Sequence, residues 1–221
     1  MNEHPILFNG AMVRAVLEGR KTVTRRVVKG QYLEGPWSVR PATEPRTPRH
    51  SHDWWLPDAT VPYAALRNCP YGKPGDHLWV RESWQVSEKY DRVAPIDIPW
   101  WRGVSTYFAA GGSRAQDASG TYVNEDTVCV PDWVGRMRPS IHMPRMASRI
   151  LLEVVSVKVE RLKDISADQC RAEGYPADLQ AETGGSDMDV WLWFRDLWQQ
   201  INGQDSFGSQ WVWAVEFKVV A

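Results

Sequence analysis

The densest run of polar residues in the chain is Gly19-Arg-Lys-Thr-Val-Thr-Arg-Arg26. A lysine near a threonine hydroxyl is one way to build a nucleophile, because a neutral, partly desolvated amine can take the hydroxyl proton. If the strand predicted here is regular from Lys21, then Thr24 and Arg26 share one face and Arg25 lies on the other. The same residues also fit a basic strand end that binds phosphate or simply meets solvent.

A possible carboxylate partner for this run is Glu173, which stands just before Gly174. The pattern predicts a helix that begins after Ser166 and ends at this glycine. A carboxylate at a helix C-terminus opposes the helix dipole, so its position is mildly unfavourable unless a cation lies nearby. Glu173 is therefore a candidate for the site, and the alternative is an ordinary exposed glutamate at a helix end.

A second basic segment precedes the longest predicted strand. Residues 136–149 contain four arginines and no acidic residue. Within it, His142, Arg145 and Arg149 are spaced so that they could line the mouth of a pocket or follow a phosphate backbone. A solvated basic connection is the alternative.

Charge and aromatic residues are unevenly distributed, although the net charge is only −1. Residues 14–49 hold nine Lys/Arg and three Glu, whereas residues 164–205 hold nine acids and two Arg. This asymmetry favours a basic face that accepts phosphates, unless the segments mix in space. Several of the thirteen tryptophans fall in loop-like stretches, where they could stack on bases or pack insertions onto the core; these are Trp37, Trp54, Trp55, Trp100, Trp101 and Trp133.

Other catalytic arrangements find little support. A zinc set of Cys69, His77, Cys129 and His142 is conceivable, but no two of these residues have the close spacing of a ligand pair. The chain has no G-x-S-x-G nucleophile elbow and no Gly-rich phosphate loop. We therefore expect neither a metal nor a cofactor.

The elements that would position these residues follow from periodicity and capping signals. Helices are predicted from Ala11 to Gly19, from Ser166 as part of a capping box with Gln169, and from Asp187 to Asn202. Strands are predicted over Pro5–Phe8, from Lys21, over His77–Trp84, over Ile150–Leu162 with a possible break at Ser156, and over Trp211–Val219.

Two long stretches show little periodicity and are interpreted as insertions that carry specificity. A short strand is predicted in the second, near Tyr122–Val123 or Val128–Val130. The whole chain is predicted to be one α+β domain in which the terminal strand pairs with an early strand and closes a small barrel. The expected core comprises about 4–27, 74–86 and 141–221, and the insertions about 28–73 and 87–140.

No apolar run reaches the roughly 18 residues that a membrane span needs. Met1-Asn-Glu-His4 lacks the pattern of a signal peptide. A cytoplasmic location without a membrane partner is expected, with the three cysteines as reduced thiols.

The motifs in this order resemble the ASCH domain family. The run 19–26 is similar to its G-x-K-x-x-T/E-x-R signature, Pro74-Gly-Asp-His-Leu78 to its P-G-D-x-L strand, and Val212–Phe217 to its last strand. The longer form, with segments such as His142-Met-Pro-Arg145, is similar to phage and prophage proteins of that kind. The resemblance covers about half of the residues and skips the insertions.

The resemblance implies a PUA-like barrel that holds a nucleoside or nucleic acid, RNA rather than DNA. One branch of the family, the small bacterial N4-acetylcytidine amidohydrolase, uses a Lys, a Thr and a Glu, which would fall on Lys21, Thr24 and Glu173. Arg26 and Arg25 would bind substrate together with His142, Arg145 and Arg149. This chain is about twice as long as that enzyme, so its insertions could admit a polymer or a larger modified nucleotide.

Four functions therefore stand as expectations. The leading one is a metal-independent amidohydrolase acting on an N-acylated nucleobase or nucleoside. The alternatives are a non-catalytic RNA- or DNA-binding module, or a ribonuclease-like ASCH protein. A phage protein that binds a host partner through its insertions is a further possibility.

Overall fold

A computed structural model describes residues 1–47, 49–116, 119, 121–125 and 130–220. The chain is α+β, as predicted. Its strands are β1 (Glu3–Leu7), β2 (Val23–Val27), β3 (Ser38–Pro41), β4 (His52–Trp55), β5 (Ala64–Ala65), β6 (His77–Arg81), β7 (Trp84–Gln85), β8 (Thr106–Phe108), β9 (Ser113–Gln116), β10 (Tyr122–Glu125), β11 (Leu151–Arg161) and β12 (Trp211–Val219). Its helices are α1 (Gly10–Leu17), α2 (Ala167–Ala172), α3 (Ala177–Thr183) and α4 (Asp187–Asn202), with short 3-10 turns between them.

The main sheet has the strand order β1-β6-β11-β12-β2. The β1–β6 pair is parallel and the other three pairs are antiparallel. The terminal strand β12 pairs with the early strand β2, which confirms that prediction, and Thr24 lies opposite Val215. The register of β11 against β12 shifts between Val154 and Ser156, close to the predicted break.

This sheet is open in the part of the chain that the structure describes, because β1 and β2 are its two edges and no strand pairing joins them. A side chain spans the gap instead: Arg26 donates a hydrogen bond from its guanidinium to the carbonyl of Leu7 at 2.9 Å. The edges are therefore close enough for one arginine to link them.

Helix α1 connects these two edge strands. Asn9 caps it by accepting a hydrogen bond from the backbone of Met12, and Gly19, with φ of 72°, allows the chain to turn into β2. The face of α1 that contains Val13 and Val16 is buried against the sheet. The helix and its glycine stop were predicted from the sequence.

The remaining helices pack on the opposite side of β12. The predicted capping box of Ser166 and Gln169 is present at the start of α2. The N-cap of α4 is Ser186 and not Asp187, because Ser186 has extended backbone angles and accepts from the backbone of Asp189. Helix α3 was not predicted. These helices bury a cluster around Leu162, Cys170, Tyr175, Phe194, Trp198 and Val212.

The two insertions contain more regular structure than predicted. The first forms a three-stranded sheet, β3-β4-β5, and the second contributes to a four-stranded sheet, β10-β9-β8-β7. Their strands are only two to four residues long, which is too short for a clear alternation pattern. The predicted strand near Tyr122–Val123 is β10, while most of the alternative at Val128–Val130 lies outside the described residues.

Tryptophans in these insertions mostly pack inward. Trp54, Trp55 and Trp100 are buried, and Trp54 meets the core residue Trp211 edge-on with ring centroids 5.6 Å apart. Trp101 and Trp133 are the exceptions, with 77% and 46% exposure. No helix in the described part of the chain is both long enough and apolar enough to cross a membrane.

Candidate functional site

Lys21 and Glu173 meet where the turn after α1 reaches the end of α2. Their backbones form an isolated antiparallel bridge, and the backbone amide of Thr22 donates to the carbonyl of Ala172 at 2.9 Å. Glu173 is the C-cap of α2, followed by Gly174 with φ of 103°. The two segments are thus held together by backbone contacts, independently of the side chains.

The Lys21 amine is enclosed by three oxygen acceptors. It donates to a carboxylate oxygen of Glu173 at 2.5 Å, to the Glu173 carbonyl at 3.0 Å and to the Val23 carbonyl at 2.8 Å. The residue is fully buried, with 1% exposure, and the Phe8 ring lies 5.6 Å from its nitrogen. Burial lowers the pKa of Lys21, and the Glu173 carboxylate opposes that shift without cancelling it.

Arg25 supplies a second cation to the same carboxylate. Its guanidinium lies 3.2 Å from the other Glu173 oxygen and 2.6 Å from Glu160. One Glu173 oxygen therefore faces Lys21 and the other faces Arg25. This arrangement provides the cationic partner that the helix-end position of Glu173 was predicted to need.

Thr24 lies within β2 and is completely buried. Its hydroxyl oxygen has no hydrogen-bond partner within the described residues. Burying an unsatisfied hydroxyl costs about 1–3 kcal/mol. The site therefore retains a polar group that packing alone disfavours, two residues before Arg26 on the same strand.

A cleft of about 450 Å³ opens beside this cluster. Its polar side is formed by Glu173, Arg25 and Arg26, together with Ser83 and Ser140. Its apolar side is formed by the end of β1, the start of α1 and one face of α4; the residues are Leu7, Phe8, Met12, Phe194, Leu197, Trp198 and Ile201. Neither Lys21 nor Thr24 lines this cleft, and both side chains are buried.

A second cleft of about 410 Å³ adjoins the first and shares Asn9, Met12, Glu173 and Leu197 with it. It is more charged, since Arg14, Glu18, Arg20 and Asp178 contribute to its lining alongside Trp193. We refer to the two spaces as the first and second lobes. Glu173 lies where they meet.

The basic residues predicted in segment 136–149 are not brought to these lobes. Arg149 is buried in a two-point ion pair with Glu82, and Arg145 pairs with Glu3 at 2.6 Å. His142 is exposed in a short 3-10 turn. The structure thus brings together Lys21, Arg25, Arg26 and Glu173 of the predicted set, with Thr24 buried next to Arg25 on β2, and leaves these three elsewhere.

Sequence reasoning missed two parts of the site. Glu160, which holds Arg25, is on β11 and was treated only as part of a strand. The apolar wall from α4 was recognised as a buried face, although Ile201 is 52% exposed. The sequence shows only the apolar face itself, which does not distinguish the wall of a cleft from a fully buried helix face.

Metal ligation has no support in the described part of the chain, where no group of three or more His, Cys, Asp or Glu residues is placed to hold an ion. Cys69 is buried and unpaired, and burial raises its pKa to about 11. Cys129, the other thiol of the conceivable zinc set, lies outside the described residues.

Comparisons with protein-family models, curated proteins and solved structures find no match for this chain. The interpretation of the site therefore depends on its geometry and on the motifs in the sequence.

Proposed function

We propose that the chain is a metal-independent amidohydrolase that removes the acyl group from an N-acylated nucleobase or nucleoside, of the N4-acetylcytidine type. The observation that carries this proposal is the fully buried Lys21, with a lowered pKa, paired at 2.5 Å with Glu173, whose carboxylate lines a cleft. A perturbed titratable pair beside a cleft is typical of catalytic sites. The resemblance to ASCH domains points to the same residues as the catalytic set. It also implies a PUA-like barrel as the underlying fold.

The first lobe suits a flat, polar ring. Leu7 and Ile201 offer exposed apolar surface, while Arg26 offers hydrogen-bond donors to carbonyl or ring-nitrogen acceptors. Its volume falls within the range of about 300–1,000 Å³ that is common for small-molecule sites. A nucleoside would fill it without needing the second lobe.

In this proposal Thr24 is the covalent nucleophile, and its hydroxyl, which has no hydrogen-bond partner within the described residues, meets the Lys21 amine when substrate binds. The neutral Lys21 amine takes the hydroxyl proton while the Thr24 oxygen attacks the acyl carbon. The tetrahedral intermediate collapses, the C–N bond breaks, and Lys21 returns the proton to the departing nitrogen of the base. Water then hydrolyses the threonine ester, giving a carboxylate and regenerating the hydroxyl.

Glu173 and Arg25 set the protonation state of the lysine. A buried ammonium–carboxylate pair must offset the loss of hydration of both charges. Glu173 can share the Lys21 proton across their 2.5 Å hydrogen bond, and Arg25 stabilises the carboxylate from the other side. The pair can thus supply a neutral amine at a buried position next to the cleft.

Attack by Thr24 requires the wall of the cleft to move, because this side chain is completely buried. Arg26 is the lining residue on the same face of β2; its guanidinium donates to the backbone carbonyls of Arg25 and Leu7, hydrogen-bonds the Tyr71 side chain and lies 5.7 Å from the Phe8 ring centroid. A substrate carbonyl that captured the Arg26 guanidinium would draw it away from Leu7. Substrate binding would then open the way to Thr24.

The test is release of acetate and cytidine from N4-acetylcytidine by the purified chain in the presence of EDTA. Lys21→Met, Thr24→Val and Glu173→Gln should each lower kcat/KM by at least a hundredfold, while Thr24→Ser should retain part of the activity. Lys163→Ala, a charge removal on an exposed 3-10 turn, is the matched control. Unchanged turnover in Lys21→Met and Thr24→Val would discard the mechanism.

A non-catalytic nucleic-acid module explains the site less well. Arg25 and Arg149, two of the arginines assigned to phosphate contacts in that hypothesis, are buried in ion pairs. Trp54 and Trp100 pack inside the insertions. Of the residues left for nucleic acid, Arg20 and Arg26 line the two lobes, and the exposed Trp101 and Trp133 lie on the second insertion.

A further inference from the structure

A cleft of about 310 Å³ lies on the sheet formed by β7–β10, away from the two lobes. Its described lining is almost wholly polar, cationic or aromatic, and contains no acidic residue; it consists of Ser87, Lys89, Tyr90, Arg102, Gly103, Val104, Ser105 and Trp133. Nothing in the proposed hydrolysis uses this cleft.

Two cations in this cleft are available to a ligand. Lys89 and Arg102 are both exposed, and Lys89 lies 4.9 Å from the Tyr90 ring centroid. Neither has an ion-pair partner among the residues that the structure describes. By contrast, Arg138 of the same region is buried and donates to the carbonyls of Val93 and Tyr90.

The aromatic residues beside these cations are also accessible. Trp133 lines the cleft, is 46% exposed, and contacts Tyr107 only through an edge-on arrangement with ring centroids 5.6 Å apart. Trp101, adjacent to Arg102 in sequence, is 77% exposed. A tryptophan face next to a lysine and an arginine is the combination that binds single-stranded nucleic acid, with bases stacked on the ring and phosphates on the cations.

The position of this cleft relative to the first lobe is set by β7. Ser83 lines the first lobe and Ser87 lines this cleft, with β7 between them. Four residues of extended chain span at most about 14 Å. One strand of nucleic acid could therefore contact both places.

We propose that this cleft binds the sugar-phosphate backbone and one base of a single-stranded nucleic acid, so that the base acted on in the first lobe is part of a polymer. The polymeric substrate rests on the proposed hydrolysis, because it names the substrate class of that reaction. The binding of nucleic acid by this cleft does not rest on it. Binding itself requires no catalysis.

The experiment measures binding of fluorescently labelled ten-nucleotide oligo(rC) and oligo(dC) by anisotropy, between 50 and 300 mM salt. Wild-type protein should bind both more weakly as salt rises, because counterions are released from contacted phosphates. Lys89→Ala/Arg102→Ala should weaken binding at least tenfold and reduce the slope of log K against log salt by about 1.4, which is two phosphate contacts at about 0.7 each. Trp133→Ala should weaken binding by about tenfold.

The control is Lys163→Ala/Lys29→Ala, which removes the same charge from exposed positions elsewhere. Oligonucleotide binding that is absent, independent of salt, or equally affected by the control and the Lys89/Arg102 pair would overturn the inference. A preference for oligo(rC) would identify RNA as the source of the phosphates, and a preference for oligo(dC) would identify DNA.

The two proposals fail separately. If N4-acetylcytidine is hydrolysed but no oligonucleotide binds, the proposed function stands and this inference falls. If oligonucleotides bind through Lys89 and Arg102 while nothing is hydrolysed, the binding site stands and the amidohydrolase falls. An N4-acetylated oligonucleotide should be hydrolysed with a kcat/KM at least tenfold above that of the free nucleoside, and this advantage should disappear in Lys89→Ala/Arg102→Ala.

Discussion

The Lys21 amine nitrogen lies 2.5 Å from a carboxylate oxygen of Glu173, although 152 positions separate the two residues in the chain. The contact joins the turn between α1 and β2 to the end of α2. Because Arg25 holds the other carboxylate oxygen, removing the lysine leaves Glu173 with one cation, and removing the glutamate leaves two buried cations without their shared anion.

We therefore expect the pair to be strongly coupled in stability. Glu173→Gln should lower the free energy of unfolding by about 3 kcal/mol, since breaking a buried pair leaves charge uncompensated. Lys21→Met should cost less than that, because Arg25 still neutralises the carboxylate. Urea unfolding of the wild type and of each variant measures both values.

The double variant Lys21→Met/Glu173→Gln completes the cycle. Its cost should be at least about 1 kcal/mol smaller than the sum of the single costs, as is usual for residues in direct contact. Additive costs would mean that the 2.5 Å contact contributes no coupling.

Local signals in the sequence predicted the elements that hold this pair. The capping box of Ser166 places α2, and the glycine after α1 places the turn to Lys21. That Lys21 and Glu173 meet was expected from the family resemblance and from the unfavourable helix-end position of Glu173. Neither periodicity nor composition predicts the contact between Lys21 and Glu173.

The basic segment 136–149 shows why the remainder was not predictable. Its arginines look like a free positive surface, but Arg149 is matched by Glu82, 67 residues earlier in the chain. Local sequence patterns cannot identify an ion-pair partner at such a separation in the chain. For the same reason Glu160, which neutralises Arg25 from 135 residues away, was missed.

Activity should increase with pH if Lys21 acts as the base. Burial lowers its pKa below the ordinary value of 10.5, and only the neutral amine can accept the Thr24 proton. The kcat/KM for N4-acetylcytidine should rise with pH to a plateau, with a midpoint below 10.5. A kcat/KM that falls as pH rises toward 10.5 would contradict a role for Lys21 as base.

The same shift predicts how stability depends on pH. In the unfolded chain Lys21 keeps its proton up to about 10.5, whereas the folded state releases it at lower pH, so the unfolded state binds more protons in between. The free-energy cost of burying the protonated Lys21 amine is fully present below its folded-state pKa and disappears as pH approaches 10.5. The stability of wild type relative to Lys21→Met should thus increase over that interval.

Buried thiols make the folded state less stable as pH rises, and this effect is the same in the wild type and in Lys21→Met. Burial raises the pKa of Cys69 to about 11 and that of Cys170 to about 12, so their contribution is lost above the ordinary value of 9. Taking the difference between the wild type and Lys21→Met at each pH removes this effect. Urea midpoints at several pH values give the comparison.

Arg26 should affect substrate binding, whereas Arg145 and His142 should not. Arg26 lines the first lobe, while Arg145 is paired with Glu3 on the surface. Arg26→Ala should raise KM for N4-acetylcytidine at least tenfold, consistent with the loss of a charged hydrogen bond. Arg145→Ala and His142→Ala, measured in parallel, should change KM less than twofold; a tenfold effect of either would place the substrate elsewhere.

Gly174 follows the end of α2 and lies close to the side chain of Lys21. With φ of 103°, it has a conformation that residues with a side chain rarely adopt, and an added Cβ would lie 2.8 Å from the Cβ of Ala15 and 3.1 Å from that of Lys21. Gly174→Ala should therefore both strain the backbone and push Lys21 away from Glu173.

Gly184→Ala separates these two effects, because Gly184 also has a positive φ, of 75°, but no atom within 4 Å of the added Cβ. Its cost should be about 1–2 kcal/mol, the backbone contribution alone. Gly174→Ala should cost about 1–3 kcal/mol more, since overpacking adds to the strain, and it alone should lower kcat for N4-acetylcytidine. Urea unfolding and turnover of the two variants provide the measurement. Equal stability losses, with kcat unchanged in both, would show that the packing of Gly174 against Lys21 does not position the catalytic amine.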